Sequence, residues 1–242
     1  LVLLKLATQK TLPVSVNMKE VLIWEKDMVH RILNIAIPSG IENGLFQLGR
    51  VLVVSIIALF GTYQIAANAV ANTLDAMGCI AGQAMNLAMI TVVGQCMGAG
   101  AKDQAVYYTK KLWKITYLIT IAVNLVILIS LPWLLKLFAL SPKAYRYAYI
   151  LVMIHDGMAM FMWPTAFTMP NAMRAAGDVK YCMFISIFSM VVFRILLSIV
   201  FGIWLGWGAI GVWLAMIVDW TFRVIFFVWR FVSRKWLEYK VI

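Results

Sequence analysis

Six long apolar runs, at about residues 32–60, 64–96, 115–140, 148–172, 182–205 and 208–231, follow one another along this chain with short polar gaps between them. A hydrocarbon core about 30 Å thick is crossed by roughly 20 helical residues, so each run is long enough to span a membrane. Lipid offers no partner to an unpaired backbone group, and only helices and closed barrels satisfy all such groups internally. Barrel strands would read as segments of ~10 residues with alternating polarity, a pattern these runs lack. The expected fold is therefore all-α and membrane-embedded, a bundle of six transmembrane helices over residues 32–232.

Composition and charge agree with a lipid solvent. Of 242 residues, 64% are hydrophobic and 13% charged, against about 25% charged in a soluble domain, and the mean hydropathy is +0.90. A net charge of +11 raises nucleic acid as a partner, but the basic residues sit in the gaps between apolar runs rather than on one face, so none is expected. Alternate gaps hold Lys5, Lys10, Lys19, Lys26 and Arg31, then Lys102, Lys110, Lys111 and Lys114, then Arg174 and Lys180, then Arg230, Arg234, Lys235 and Lys240. The opposite side has only Lys136, Lys143 and Arg146. Short loops rich in Lys and Arg stay inside, which puts both ends of this multi-pass chain in the cytoplasm, with a bacterial plasma (inner) membrane as the expected location.

Residues 1–31 read as the end of a preceding span, LVLLKLA, plus a polar linker whose stretch MKEVLIWEKDMVHRIL suits an amphipathic helix at the membrane surface. Residues 233–242 read as a cytoplasmic tail. Pro38, Pro132, Pro164 and Pro170 interrupt three of the spans, and each frees a carbonyl that lipid cannot satisfy, which makes the fourth span a candidate hinge or cavity wall. Cys79, Cys96 and Cys182 are odd in number and far apart, with no CxxC or Cys/His pairing, so neither a disulfide framework nor a metal site is expected.

Seven charged residues fall inside the runs: Glu42, Asp75, Asp156 and Asp219 against Arg50, Arg194 and Arg223. Left unrelieved near helix centres, they would cost on the order of 20 kcal/mol together. Asp219 and Arg223 are one helical turn apart and read as a structural ion pair. Glu42 has no basic residue three or four positions away, and Arg50 is two turns down the helix, too far for direct pairing. Desolvation favours the neutral form of such a carboxyl, so it is expected to take up and release a coupling ion. Asn68, Asn72 and Asp75 share one helical face by their i, i+4, i+7 spacing, and a polar face in lipid lines a cavity or joins two helices. Asp156 follows His155 in the fourth span; the histidine itself reads as a packed or interfacial one.

The segments IPSGIENGLF, VGQCMGAG, PNAMRAAGD and WLAMIVDWTFR, in this order and at these helix and loop positions, resemble the second lobe of the multidrug and toxic compound extrusion (MATE) family over about residues 26–236. The resemblance implies one lobe of a twelve-helix transporter that rocks between inward-open and outward-open states. It also implies exchange of protons or sodium for organic, often cationic, compounds, with membrane lipid and an amino-terminal six-helix lobe of the same chain as partners. Glu42 matches the membrane acid carried by the first helix of that lobe, with sodium an option there. Asp156 lies in the helix of a second family acid, earlier in it than the family pattern has it, eighteen residues before Arg174.

Glycines 94, 98, 100 and 177 suit tight turns between helices. VGQCMGAG and RAAGDVK lack the strand-to-helix setting of a phosphate loop, so ATP-driven transport is not expected. Neither HExxH nor GxSxG occurs, and no enzyme activity or resident cofactor is expected. The alternative in transport is a lipid-linked oligosaccharide flippase, which would favour the basic cavity that Arg50 and Arg194 leave open.

Overall fold

A computed structural model describes residues 25–239. Its elements are six long helices: α1 Lys26–Ala58, α2 Thr62–Gly98, α3 Lys102–Lys136, α4 Pro142–Ala175, α5 Val179–Trp204 and α6 Gly208–Val232. A short 3-10 turn follows at Lys235–Leu237. Among the described residues there is no strand. All six helices are long and apolar enough to cross a membrane. Many large apolar side chains point outward, Leu118 at 72% exposure, Ile129 at 69% and Phe184 at 66% among them, as a surface that meets acyl chains requires.

The chain divides into two compact units, Leu1–Ile37 and Pro38–Ile242, and everything below concerns the second. The segment LVLLKLA and most of the expected linker lie outside the described residues; the linker's described end, from Lys26, already belongs to α1. The tail expected at 233–242 is described as far as Tyr239 and carries the 3-10 turn.

Two apolar cores lie along the bundle. One gathers Leu74 of α2, Leu131 and Leu135 of α3, Leu151 and Trp163 of α4, and Trp213 and Trp220 of α6. The other joins Met89 and Val93 of α2, Met169 and Met173 of α4, Cys182 of α5 and Phe227 of α6 to Trp236 of the tail. The three cysteines are free and buried.

Turn chemistry accounts for the tight connections. Gly100 (φ 70°) and Gly177 (φ 96°) take the left-handed conformation that side chains disfavour. Gly94 and Gly98 do not: both lie inside α2, with no neighbour within 4 Å of where a Cβ would be. The gap expected before the third span is short as well, because α3 begins at Lys102 and carries Lys110, Lys111 and Lys114 on helix. A helix that satisfies its own backbone continues as readily into water as into lipid, and so the change in polarity at residue 115 does not end it.

Two helices depart from regular α geometry. In α4, Pro164–Thr168 forms a π-helical turn, as the missing N–H of Pro164 and the ring of Pro170 favour. All of those residues but the half-buried Phe167 are buried in the lobe, Thr165 at 2% and Ala166 at 1% exposure. In α5, π-helical turns occupy Met190–Leu196 and Ile199–Trp204 with no proline nearby. Pro38 and Pro132 sit within helices that continue through them.

Candidate functional site

Three of the acids expected in the membrane are found in two separate places. At the first, α2 and α4 face each other through His155, whose Nε2 lies 3.2 Å from Asp75 Oδ1 and whose Nδ1 lies 3.0 Å from Asp156 Oδ1. His155 and Asp156 are buried, while the Asp75 side chain keeps 25% of its surface exposed. The Cys79 thiol, one turn along α2, donates to the same Asp75 oxygen at 3.2 Å. Asp156 Oδ2 is buried with no partner among the described residues.

The polar face of α2 supports this cluster. Asn68 Oδ1 accepts from Trp213 Nε1 of α6 at 3.0 Å, and the Trp213 and Trp220 rings meet the His155 ring edge-on, centroids 5.2 and 4.9 Å away. Such T-shaped packing fixes the imidazole plane. Asn72 turns its amide back to the Asn68 carbonyl at 2.8 Å and, among the described residues, makes no bond to another helix. Of the face formed by Asn68, Asn72 and Asp75, the first and last therefore join helices.

At the second place Glu42 is buried, and it has a partner. Arg174 Nη2 from the far end of α4 donates to Glu42 Oε1 at 2.5 Å, while Arg174 Nη1 donates to Asn171 Oδ1 at 2.8 Å. The expectation of an unpaired carboxyl was drawn from helical neighbours alone; the compensating charge comes from 132 residues away. A sodium ion at Glu42 would have to share the carboxylate with that guanidinium.

Asp219 and Arg223 form the expected pair, with Arg223 Nε donating to Asp219 Oδ1 at 3.0 Å, and Arg194 adds a second cation 3.6 Å from Asp219 Oδ2. Arg50 is exposed. Donor atoms of Asp75, His155 and Asp156 lie within 4.8 Å of one another, close enough to hold a cation. A mixed imidazole and carboxylate set suits borderline divalent ions as well as protons.

The MatE family model matches residues 38–200. The chain belongs to the MatE family. It is 26% identical over 234 residues to the uncharacterized transporter YisQ of Bacillus subtilis, covering 95% of this chain and 50% of that protein. It is 25% identical over 205 residues to the probable multidrug resistance protein NorM of Thermotoga maritima, covering 85% and 44%. Among solved structures, a MATE protein in a bent conformation superposes with TM-score 0.79 at 17% identity, over 92% of this chain and 50% of that one. An outward-facing multidrug resistance MATE family transporter of the MOP superfamily gives 0.78 at 18%, over 88% and 46%. The chain spans about half the length of the curated relatives it matches.

For this MatE lobe, then, family motifs locate Glu42 and Arg174, and the fold shows that they bind each other. His155 is the functional candidate that reading the sequence passed over. Its signal was its neighbour Asp156 together with an acid on another span, but which acid it meets depends on the α2–α4 packing.

Proposed function

We propose that this chain is one half of a proton-coupled antiporter that exports organic, mainly cationic, compounds, and that the proton binds at Asp75, His155 and Asp156. The observation that carries this is the carboxylate at each nitrogen of one imidazole. A neutral histidine has a single N–H, and the 3.0 Å hydrogen bond to Asp156 Oδ1 accounts for it. The Asp75 carboxylate, 3.2 Å from Nε2, becomes an ion-pair partner once the cluster takes up one proton beyond a neutral imidazole and two carboxylates.

Removing that proton sets a bare ring nitrogen against a carboxylate oxygen. Asp156 is tethered to His155 through the backbone, so the contact that gives way is the one to Asp75, between α2 and α4. Asp75 is also the partly exposed member, the side from which water brings and takes protons. The groups facing His155 are Asp75 from α2, to which Cys79 donates, Asp156 from α4, and the uncharged Trp213 and Trp220 from α6. An acidic, aromatic-walled cluster favours cations over anions as cargo. The biased Lys and Arg gaps support a cytoplasmic side holding the α2–α3 and α4–α5 turns, in a cell's plasma membrane.

The test is efflux of a fluorescent organic cation from cells making the full-length protein, with proton and sodium gradients collapsed separately. Export by the wild type should follow the proton gradient, and His155→Gln, which keeps one donor and one acceptor, should uncouple it. Export driven by sodium alone, or unchanged in His155→Gln, would overturn this reading.

A further inference from the structure

Asp219 of α6 is the only carboxylate within ion-pair distance of two arginines, Arg223 at 3.0 Å and Arg194 at 3.6 Å, among the described residues. Asp219 is fully buried and the Arg194 side chain is 13% exposed. The group thus carries one positive charge more than it neutralises, at a depth where an unmatched charge costs about 2.5–3.5 kcal/mol on insertion scales.

The donors of Arg194 are poorly used. Its Nη2 is aimed at Met216 Sδ, 2.9 Å away, and a thioether is a weak acceptor. Its Nε is buried with no partner among the described residues, and so is the hydroxyl of Ser186. Arg223 has already spent Nη2 on the Ser186 carbonyl at 3.1 Å. Both guanidinium groups lie beside the Phe46 ring, 5.6 and 5.5 Å from its centre.

Phe46 and Ser186 also belong to the wall of an apolar cavity of about 210 Å³ between α1 and α5, with Gly49, Leu52 and Met190. Glu42 lines it too, held by Arg174. Ser186 thus sets an unsatisfied donor at the wall of a space that is otherwise greasy, and Arg194 packs against Phe46, another wall of the same space. A guanidinium with a free Nε edge matches the oxygens of a carboxylate or phosphate.

We propose that Arg194 and the Ser186 hydroxyl bind the anionic head, a carboxylate or phosphate, of a single-chain amphiphile whose tail lies in the α1–α5 cavity. This site is distinct from the proton site, and its ligand has the opposite charge to the cationic cargo. The head brings the one negative charge that the arginine pair lacks, and the tail displaces nothing polar.

Isothermal titration of the full-length protein in a neutral maltoside detergent tests this with dodecyl phosphate, dodecanol and inorganic phosphate. Dodecyl phosphate should bind at least about tenfold more tightly than dodecanol, a difference of about 1.4 kcal/mol. Arg194→Gln should remove that preference, and Met190→Trp, which fills the cavity and leaves both arginines in place, should weaken dodecyl phosphate. If Arg194→Gln fails to give monodisperse protein, Ser186→Ala and Met190→Trp carry the test. Equal binding of dodecyl phosphate and dodecanol, or a preference that survives these substitutions, would overturn the proposal. So would inorganic phosphate binding as tightly as dodecyl phosphate, since the cavity would then contribute nothing. Competition by lysophosphatidylglycerol supports a single-chain membrane lipid as the source, and its failure to compete supports an exported amphiphile. The assay reads binding and not export, so its failure leaves the coupling reading intact.

Discussion

Arg174, at the last turn of α4, reaches across to Glu42 near the start of the Pro38–Ile242 unit and closes a charge pair between α4 and α1. Both side chains are largely buried, 21% and 10% exposed. Removing one member of such a pair leaves the other charge uncompensated, at a cost of about 3 kcal/mol. Arg174→Ala should therefore lower the thermal stability of the purified protein more than Glu42→Gln, which keeps an acceptor for the guanidinium. A double-mutant cycle should return a coupling of about 1–3 kcal/mol. Additive losses would show that the two groups do not interact in solution.

Glu42→Gln should still cut cation export strongly, because the neutral amide holds α1 to Arg174 too weakly to make and break a defined contact during each cycle. Glu42→Asp, shorter by one methylene, should keep partial export. Wild-type efflux rates in Glu42→Gln under the same gradient would show that the pair is only structural.

Asp75→Asn removes the negative charge opposite His155 Nε2 but keeps a hydrogen-bonding side chain on α2. The fold should survive, judged by an unchanged elution volume. Export should lose its dependence on an imposed proton gradient. A gradient response equal to that of the wild type would place the proton elsewhere.

Trp213→Phe keeps the aromatic packing on His155 and deletes only the donor to Asn68 Oδ1, 3.0 Å away. A buried acceptor left without a partner costs about 1–3 kcal/mol, and thermal unfolding should register a loss of that size. Asn68→Leu combined with Trp213→Phe should recover part of it.

The orientation is open to chemical labelling, and the native cysteines are buried and free, so they should give little background. A cysteine placed at Gly61–Tyr63, where the chain enters α2, should react with an impermeant maleimide from outside the cell, and one at Lys102–Lys111 should not. The opposite pattern would invert the topology.

Much of this could be read along the chain. The six helices follow from apolar length without a barrel's alternation, because in lipid only helices and closed barrels satisfy the backbone, and the Asp219–Arg223 pair follows from a spacing of four. Glu42 was recognisable by its motif, yet its partner was not: helical neighbourhood describes one helix, and Arg174 lies on another. The same limit hid the link from Asp75 to His155 and the second arginine on Asp219. The π-helical turns of α5 had no proline or glycine pair to announce them. Their cause lies in packing rather than in local sequence.

Trp236 is fully buried and stacks on Phe231, with centroids 5.6 Å apart, although it follows all six long helices in the chain. It belongs to the same core as Met89, Met173 and Phe227. Since a polypeptide leaves the ribosome from its amino-terminal side and Trp236 follows Val232 so closely, this core cannot close until the last helix and the residue beyond it have emerged together. The assembly of the lobe thus has a closing step that the earlier helices cannot supply, and a nascent chain released just short of Trp236 should be inserted yet remain open to proteases that clear unfinished membrane proteins.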